Sequence, residues 1–162
     1  MKSKILKIAI FGLFSMCSFG QSENKNSFFE YDKFVNESKS HSKDAKHLKI
    51  EYLVNNIQPS VYIEFDGVKI YGQKPTSLFT SVKNFYKISN ANFDKENVEI
   101  VNIRISNFDD LKNELDFSKL TNFKKLKYIY IVSDLKCNDT DILQIINNIG
   151  NYTVLYKIAQ NS

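Results

Sequence analysis

Cysteine is scarce in this sequence, which has two in 162 residues, Cys17 and Cys137. Cys17 lies in an amino-terminal segment that we expect to be removed, so the mature chain would keep Cys137 alone. A single cysteine excludes an internal disulfide, and the domain must therefore be stabilised by its hydrophobic core. Cys137 falls on Leu111 in the repeat described below, so we predict that it fills a core position and is not a nucleophile.

Histidine is equally scarce, with only His41 and His47, both in a polar stretch near the amino terminus. Their spacing is not the i, i+4 spacing of a helical zinc pair, so we predict no metal site. The glycine-rich nucleotide-binding motifs and the nucleophile elbow are also absent. The sequence therefore predicts a protein that is not an enzyme and has no cofactor.

Two pairs of carboxylates stand out, Asp109 with Asp110 and Asp139 with Asp141. Each pair lies at the start of a predicted helix, where the helix dipole favours negative charge. This structural role accounts for both pairs. The alternative that remains open is an exported hydrolase of unfamiliar type that uses Asp or Glu side chains or Cys137.

No apolar run is long enough to span a membrane, which needs about 20 residues. The run over residues 8–19 is flanked by the residues of a secretory signal, which are Lys2, Lys4 and Lys7 before it and Ser18 and Gly20 at its end. We therefore predict a signal peptide over residues 1–20 and an exported chain, periplasmic or secreted, that begins at Gln21. A lipoprotein attached through Cys17 is the alternative.

Charge of one sign is also lacking. Of the 22 Lys and Arg residues, three lie in the predicted signal peptide, which leaves 19 against 18 acidic residues. Such a balance gives no electrostatic reason for nucleic-acid binding, and no polybasic block points to a membrane surface. The expected partner is an unknown protein or a cell-surface component. We also predict no transmembrane span in the mature chain.

The chain divides into a polar amino-terminal segment, residues 21–47, and a single α/β domain, residues 48–162. Within the first segment, residues 27–35 suggest a short helix or docking segment. The domain is predicted to start with a strand over residues 48–54. A β-hairpin follows, because Asp66-Gly67 separates two alternating apolar runs and suits a type I′ turn.

The next predicted element is a helix from Pro75 to Tyr86, on which apolar residues recur at helical spacing. Strands and helices then alternate to the carboxyl terminus: strand 98–105, helix 107–117, strand 127–132, helix 138–150 and strand 152–159. Asn138 is the predicted cap of the last helix, and Gly150 its stop. This βαβαβ pattern predicts parallel pairing of the three strands.

The last third also matches itself at an offset of 26 residues. The strand pattern L-x-x-L-x-L occurs twice, at Ile100, Ile103 and Ile105 and at Leu126, Ile129 and Ile131. On these positions, residues 98–158 resemble leucine-rich repeats, a resemblance that implies stacked units and binding on the strand face, without catalysis. It departs from that family where Phe108 and Asp134 replace the ladder asparagine. A compact α/β sheet explains the same periods.

One surface is a candidate for ligand or partner contact. At the 26-residue offset, Arg104, Tyr130 and Tyr156 form a cross-strand row, with Asn102 and Tyr128 beside it on the same strands. Tyr and Arg supply rigid area with polar tips, which suits binding. This hypothesis requires that strand 127–132 lies between the other two strands and that Tyr130 is exposed. The alternative is that the row is covered by the helix at 76–86 or by the amino-terminal segment.

Overall fold

Nine strands and three α-helices make up the part of the chain that the computed structural model describes, residues 27–40 and 46–159. The predicted signal peptide, Cys17, His41 and the side chain of His47 lie outside the described residues. Within the described ranges, no helix has the length and apolar character that a membrane span requires.

The larger elements, in chain order, are β1 (Phe28–Glu30), α1 (Tyr31–Ser40), α2 (Lys46–Asn55), β2 (Ser60–Glu64), β3 (Gly67–Tyr71), β4 (Ser77–Ser81), β5 (Ile100–Ile105), β6 (Leu115–Asp116), β7 (Tyr128–Ser133), α3 (Asp139–Gln144), β8 (Ile146–Asn147) and β9 (Thr153–Ile158). Three 3₁₀-helices lie between them, at Val82–Lys87, Asp110–Lys112 and Phe117–Leu120.

Seven strands form one sheet in the order β1-β9-β7-β5-β4-β2-β3. All neighbours are parallel except β3, which pairs antiparallel with β2 as the second arm of a hairpin. From β2 to β9 the parallel strands lie side by side in chain order. The short strands β6 and β8 pair with each other in a separate two-stranded sheet. The predicted placement of strand 127–132 between the other two strands is confirmed.

The crossover segments between the parallel strands cover one face of the sheet. Buried crossover residues, among them Phe85, Phe117 and Ile142, pack in one cluster with the inward side chains of β5 and β7, such as Ile103 and Ile131. Burial of this apolar surface is the main stabilising term in the fold, at roughly 25 cal/mol per Å².

Helices α1 and α2 cover part of the opposite face. Tyr31 of α1 and Ile50 of α2 pack against Ile100, Tyr130 and Leu155 of β5, β7 and β9. Strand β7 is therefore buried on both faces, as is usual for a parallel sheet. Strand β1 and helix α1 lie inside the segment that the sequence sets apart from the domain, yet they pair and pack with the sheet.

The strand predicted at residues 48–54 is wrong, because these residues belong to α2. Ile50, Leu53 and Val54 stand at i, i+3 and i+4, so one helical face carries them onto the sheet. The run is short and rich in apolar residues, and a short apolar run does not distinguish a strand from a buried helix.

The helix predicted from Pro75 to Tyr86 is wrong over its first half, which forms β4 between β2 and β5. Backbone hydrogen bonds to β2 and β5 stabilise the extended conformation, although the apolar residues have helical spacing. The second half is the 3₁₀-helix Val82–Lys87, whose buried Val82 and Phe85 stand three residues apart, which is one turn of such a helix.

The helix predicted over residues 107–117 is also wrong. One carboxylate oxygen of Asp110, Oδ2, accepts the backbone N–H groups of Ser106 at 2.8 Å and Asn107 at 3.2 Å. Such a side chain competes with helical hydrogen bonds, and the segment forms a turn with one short 3₁₀-helix. The following residues pair as β6 with β8.

The helix predicted over residues 138–150 is shorter than expected and ends at Gln144. Its predicted cap is confirmed: Asn138 accepts the N–H of Asp141, and the Asp141 side chain accepts the N–H of Asn138, which completes a capping box. Gly150, with φ of 58°, lies in the later turn that leads to β9, so it does not stop α3.

The predicted hairpin is confirmed, but its turn lies one residue earlier. Glu64 pairs with Gly67, so Phe65 and Asp66 form the two-residue connection. Neither of these two residues has a positive φ, whereas Gly67, at 143°, begins β3. The type I′ turn predicted at Asp66-Gly67 is therefore wrong, although the glycine supplies the backbone freedom that the tight reversal needs.

Candidate functional site

A groove opens on the helix-covered face of the sheet, where α2 ends and none of the described helices lies above β2 and β4. Its volume is about 560 Å³, within the range of small-molecule sites. Val54 of α2 forms one wall, and Asn84 and Asp134 lie at the mouth. The sheet forms the floor, close to the carboxyl ends of its strands, which is where open α/β sheets bind ligands.

The floor consists of two cross-strand rows. In the first row, the sheet register places Tyr62 beside Phe79, Phe79 beside Asn102, and Asn102 beside Tyr130. Residues paired in this way point to the same face. The second row lies two positions later on the same strands and consists of Glu64, Ser81, Arg104 and Val132.

The β2 and β4 end of the groove is aromatic. The Tyr62 and Phe79 rings stack with their centroids 4.8 Å apart and their planes at 11°, and Tyr71 of β3 meets Tyr62 edge-on at 5.4 Å. Aromatic contacts of this kind contribute about 0.5–1.5 kcal/mol beyond their buried area. They also fix the orientation of the rings, so the groove has a preformed apolar wall.

Asn102 lies between the two aromatic parts of the first row. Its Nδ2 donates to the carbonyl oxygen of Leu78 at 3.2 Å, which fixes the amide plane against the neighbouring strand. Its Oδ1 accepts no hydrogen bond from the described part of the chain. The amide therefore presents a free acceptor between the side chains of Phe79 and Tyr130.

An ion pair stands at the mouth. Arg104 Nε donates to Asp134 Oδ2 at 2.6 Å, and the Arg104 side chain remains 68% exposed. The hydrogen bond to Asp134 and the charge of that carboxylate raise the pKa of Arg104 above its usual value. Such an exposed pair adds little to stability, but it holds the guanidinium over the groove.

Tyr130 closes the groove on the β7 side. It is only 7% exposed because α1 lies above it, and its ring centroid is 5.1 Å from that of Tyr31. Burial raises the pKa of Tyr130 well above its usual value, and the nearby Tyr31 and Asp32 raise it further. The hydroxyl makes no hydrogen bond with any residue that the structure describes.

The predicted row of Arg104, Tyr130 and Tyr156 is wrong in its geometry. The offset from β5 to β7 is 28 residues (100 to 128), and that from β7 to β9 is 25 (128 to 153). Arg104 consequently lies beside Val132, not Tyr130. The odd offset turns Tyr156 to the opposite face, where it stacks on Phe28 with the centroids 4.6 Å apart.

The expectation that Tyr130 is substantially exposed is wrong as well, since α1 buries it. Tyr128 lies in the same buried cluster beneath the helices. Three of the five predicted surface residues nevertheless line the groove: Asn102, Arg104 and Tyr130. Tyr128 and Tyr156 do not.

The sequence reading missed the β2 and β4 side of the groove. In β2, Val61 and Ile63 are buried against the crossovers, so the alternation turns Tyr62 to the other face. This alternation of buried and groove-facing residues in β2 is visible in the sequence. The helix predicted from Pro75 to Tyr86 includes Phe79 among its apolar residues, whereas its place on the groove floor depends on the strand β4.

The residues of the hydrolase alternative are engaged in structural contacts. Asp109 forms an ion pair with Lys112 at 2.8 Å, and the hydrogen bond and charge of Lys112 lower the pKa of Asp109. Asp141 completes the capping box of α3. Across the described residues, no three His, Cys, Asp or Glu side chains are grouped so that they could hold a metal ion.

Cys137 is half-buried at the edge of the crossover-side core, and its Sγ lies 3.3 Å from Ser133 Oγ. We expect Cys137→Ala to lower the free energy of unfolding by about 1 kcal/mol, because it leaves a small, partly open cavity. Urea denaturation measures the loss. The native thiol should also react with a maleimide reagent more slowly than the unfolded chain does, and equally fast labelling would contradict the packed position.

Comparison with protein-family models, with curated proteins and with solved structures finds no match to this chain. The fold and the groove define the class of protein, an α/β domain with a mostly parallel sheet and a concave site near the carboxyl ends of four of its strands.

Proposed function

We propose that this chain is an exported, non-catalytic binding domain that holds a ligand in the groove over β2, β4, β5 and β7. The observation that carries the proposal is the construction of the groove floor. A stacked aromatic pair, an amide with a free acceptor and an ion-paired guanidinium lie in two adjacent rows of a rigid sheet. Rigid apolar surface with a few fixed polar groups is typical of ligand sites.

The charged groups of the groove favour binding over catalysis. Asp134 is paired with Arg104, and Glu64 is paired with Lys69 of β3. A general acid or base must be free to exchange a proton with the substrate. Both carboxylates are instead engaged in ion pairs with cations. Export rests on the predicted signal peptide, and the ligand is expected on a partner protein or at a cell surface.

The groove can be tested by filling it. Ser81→Trp places an indole at the end of β4, on the groove floor, and the matched control Asn122→Trp adds the same group at an exposed position on the crossover side. In a thermal-shift screen of sugars, peptides and metabolites, we expect at least one compound to stabilise the native chain and the control equally. The same compound should not change the melting temperature of Ser81→Trp, because the indole occupies its site.

Two outcomes would contradict the proposal. A compound that stabilises Ser81→Trp as much as the native chain binds somewhere other than the groove. Conversion of the stabilising compound to a product, followed by NMR over several hours, would show catalysis and favour the hydrolase alternative. Loss of that turnover in Cys137→Ala would place the reaction at the thiol, on the opposite face of the sheet from the groove.

A further inference from the structure

The charge balance of the groove narrows the class of ligand. The charged side chains that line it are Glu64, Arg104 and Asp134, and each has an opposite partner, either within the groove or on β3. The charges of the groove are therefore already balanced, and a charged ligand would find no uncompensated opposite charge there. An uncharged ligand leaves both pairs in place, so the groove suits a neutral molecule.

The polar groups of the groove can both donate and accept hydrogen bonds. Asn84 Nδ2 donates to Ser81 Oγ at 3.2 Å, which leaves the Ser81 hydroxyl proton and the Asn84 carbonyl oxygen available. Asn102 adds a free acceptor, and the Tyr130 hydroxyl has no partner among the described residues. Amides and hydroxyls are donors and acceptors at once. A ligand rich in hydroxyl groups complements this set.

The apolar part of the floor suits a ring that packs against the free face of Phe79, above the smaller Asn102. Phe79 stacks on Tyr62 with one face, and its register partner on the other side is the smaller Asn102. The face of an aromatic ring carries partial negative charge and attracts the weakly positive C–H groups of a saturated ring. A sugar ring presents such C–H groups on one face and hydroxyls around its edge, which matches the aromatic wall and the polar groups beside it.

The length of the groove favours more than one ring. The stacked Tyr62 and Phe79 rings fill one strand spacing, and two more spacings, about 10 Å, separate Phe79 from Tyr130. One ring fits there over Asn102, and a second can lie over the row of Ser81 and Arg104 at the carboxyl ends of the strands. We propose that the groove binds an uncharged oligosaccharide, with one sugar ring stacked on Phe79 and its hydroxyls hydrogen-bonded to Asn102 and Ser81. This inference rests on the proposed function, because it names the ligand of the same groove.

The test titrates the mature chain with four neutral oligosaccharides, cellohexaose, maltohexaose, xylohexaose and mannohexaose, and follows backbone amide shifts by NMR. We expect at least one to bind with a Kd of about 1 mM or tighter, with shifts at Phe79, Asn102 and Ser81. Phe79→Leu keeps the apolar volume and removes the ring, so it should weaken binding about tenfold or more. The control Phe108→Leu alters an exposed ring outside the groove and should leave the Kd unchanged.

Failure of this inference can be separated from failure of the proposed function. If none of the four sugars binds, but Ser81→Trp prevents the binding of a compound of another class, the oligosaccharide proposal is wrong. The proposal that the groove binds a ligand is then supported. Trigalacturonate, an acidic oligosaccharide, is titrated as a further control, and its preferential binding would also overturn the inference, because the ligand would then be charged. If no compound of any class is sensitive to Ser81→Trp, both proposals are wrong.

Discussion

Phe117→Ala should lower the free energy of unfolding by about 3–5 kcal/mol. Phe117 is fully buried at the start of a 3₁₀-helix in the crossover from β5 to β7, directly after β6. Its ring lies 5.9 Å from that of Phe85, which belongs to the preceding crossover. Truncation would leave a cavity where two crossovers meet, and the paired strands β6 and β8 restrict the collapse that could fill it.

Chemical denaturation of the two proteins measures this loss. The matched control is Phe108→Ala, because Phe108 is 65% exposed and should change the free energy by about 0.5 kcal/mol or less. A loss under about 1 kcal/mol for Phe117→Ala would contradict the packing of the crossovers against the sheet. An unchanged slope of free energy against denaturant would show that the variant still unfolds from the same compact state.

Tyr130→Ala is expected to cost a similar amount, about 3–5 kcal/mol, for a different reason. Tyr130 carries the contact between β7 and α1, where it packs on Tyr31. Loss of the ring removes the surface on which α1 rests and opens one side of the groove. Tyr130→Phe should change the free energy by about 0.5 kcal/mol or less, because the hydroxyl makes no hydrogen bond within the described residues.

The pair of Tyr130 variants separates packing from hydrogen bonding. Denaturation curves of both, together with amide exchange in α1, measure whether the helix loosens in Tyr130→Ala. Tyr52→Ala is the control, since Tyr52 lies on the exposed side of α2. A loss above about 1 kcal/mol for Tyr130→Phe would mean that the hydroxyl has a structural partner.

The centre of the sheet could be predicted from the sequence because its strands are long and strongly patterned. Strands β5, β7 and β9 carry alternating or continuous apolar residues, and the segments between them are long enough for parallel crossovers. The hairpin was found from Asp66-Gly67, although the turn lies one residue earlier. In each case a local signal agrees with the tertiary pairing.

The elements that are predicted wrongly from the sequence are those whose secondary structure is determined by tertiary contacts. Residues 77–81 have helical spacing but gain two strand partners in the sheet. Residues 48–54 resemble a strand but form α2, because only a helix brings Ile50 and Leu53 onto the same neighbours. Propensity is a weak prior in such short segments, and packing overrides it.

The candidate site was predicted in part for the same reason. Asn102 and Arg104 were identified because alternation along one strand fixes which face each residue takes. Their neighbours depend on the register between strands, and a single residue of register reverses the face, as it does at Tyr156. The offset of 26 residues lies between the observed 28 and 25, so it gives the correct face between β5 and β7 and the wrong face between β7 and β9. The leucine-rich-repeat resemblance itself stays a prediction.

The pairing of β1 with β9 has a consequence for synthesis. Phe28 lies beside Val154, which follows it by 126 residues (28 to 154), whereas the strands from β2 to β9 lie beside strands nearby in the chain. During elongation or translocation, the sheet can assemble strand by strand from β2, since local contacts form first. Strand β1 has no sheet partner until the last strand emerges. The two ends of the fold therefore dock together as the final event, and a chain truncated before β9 would leave its first strand unpaired.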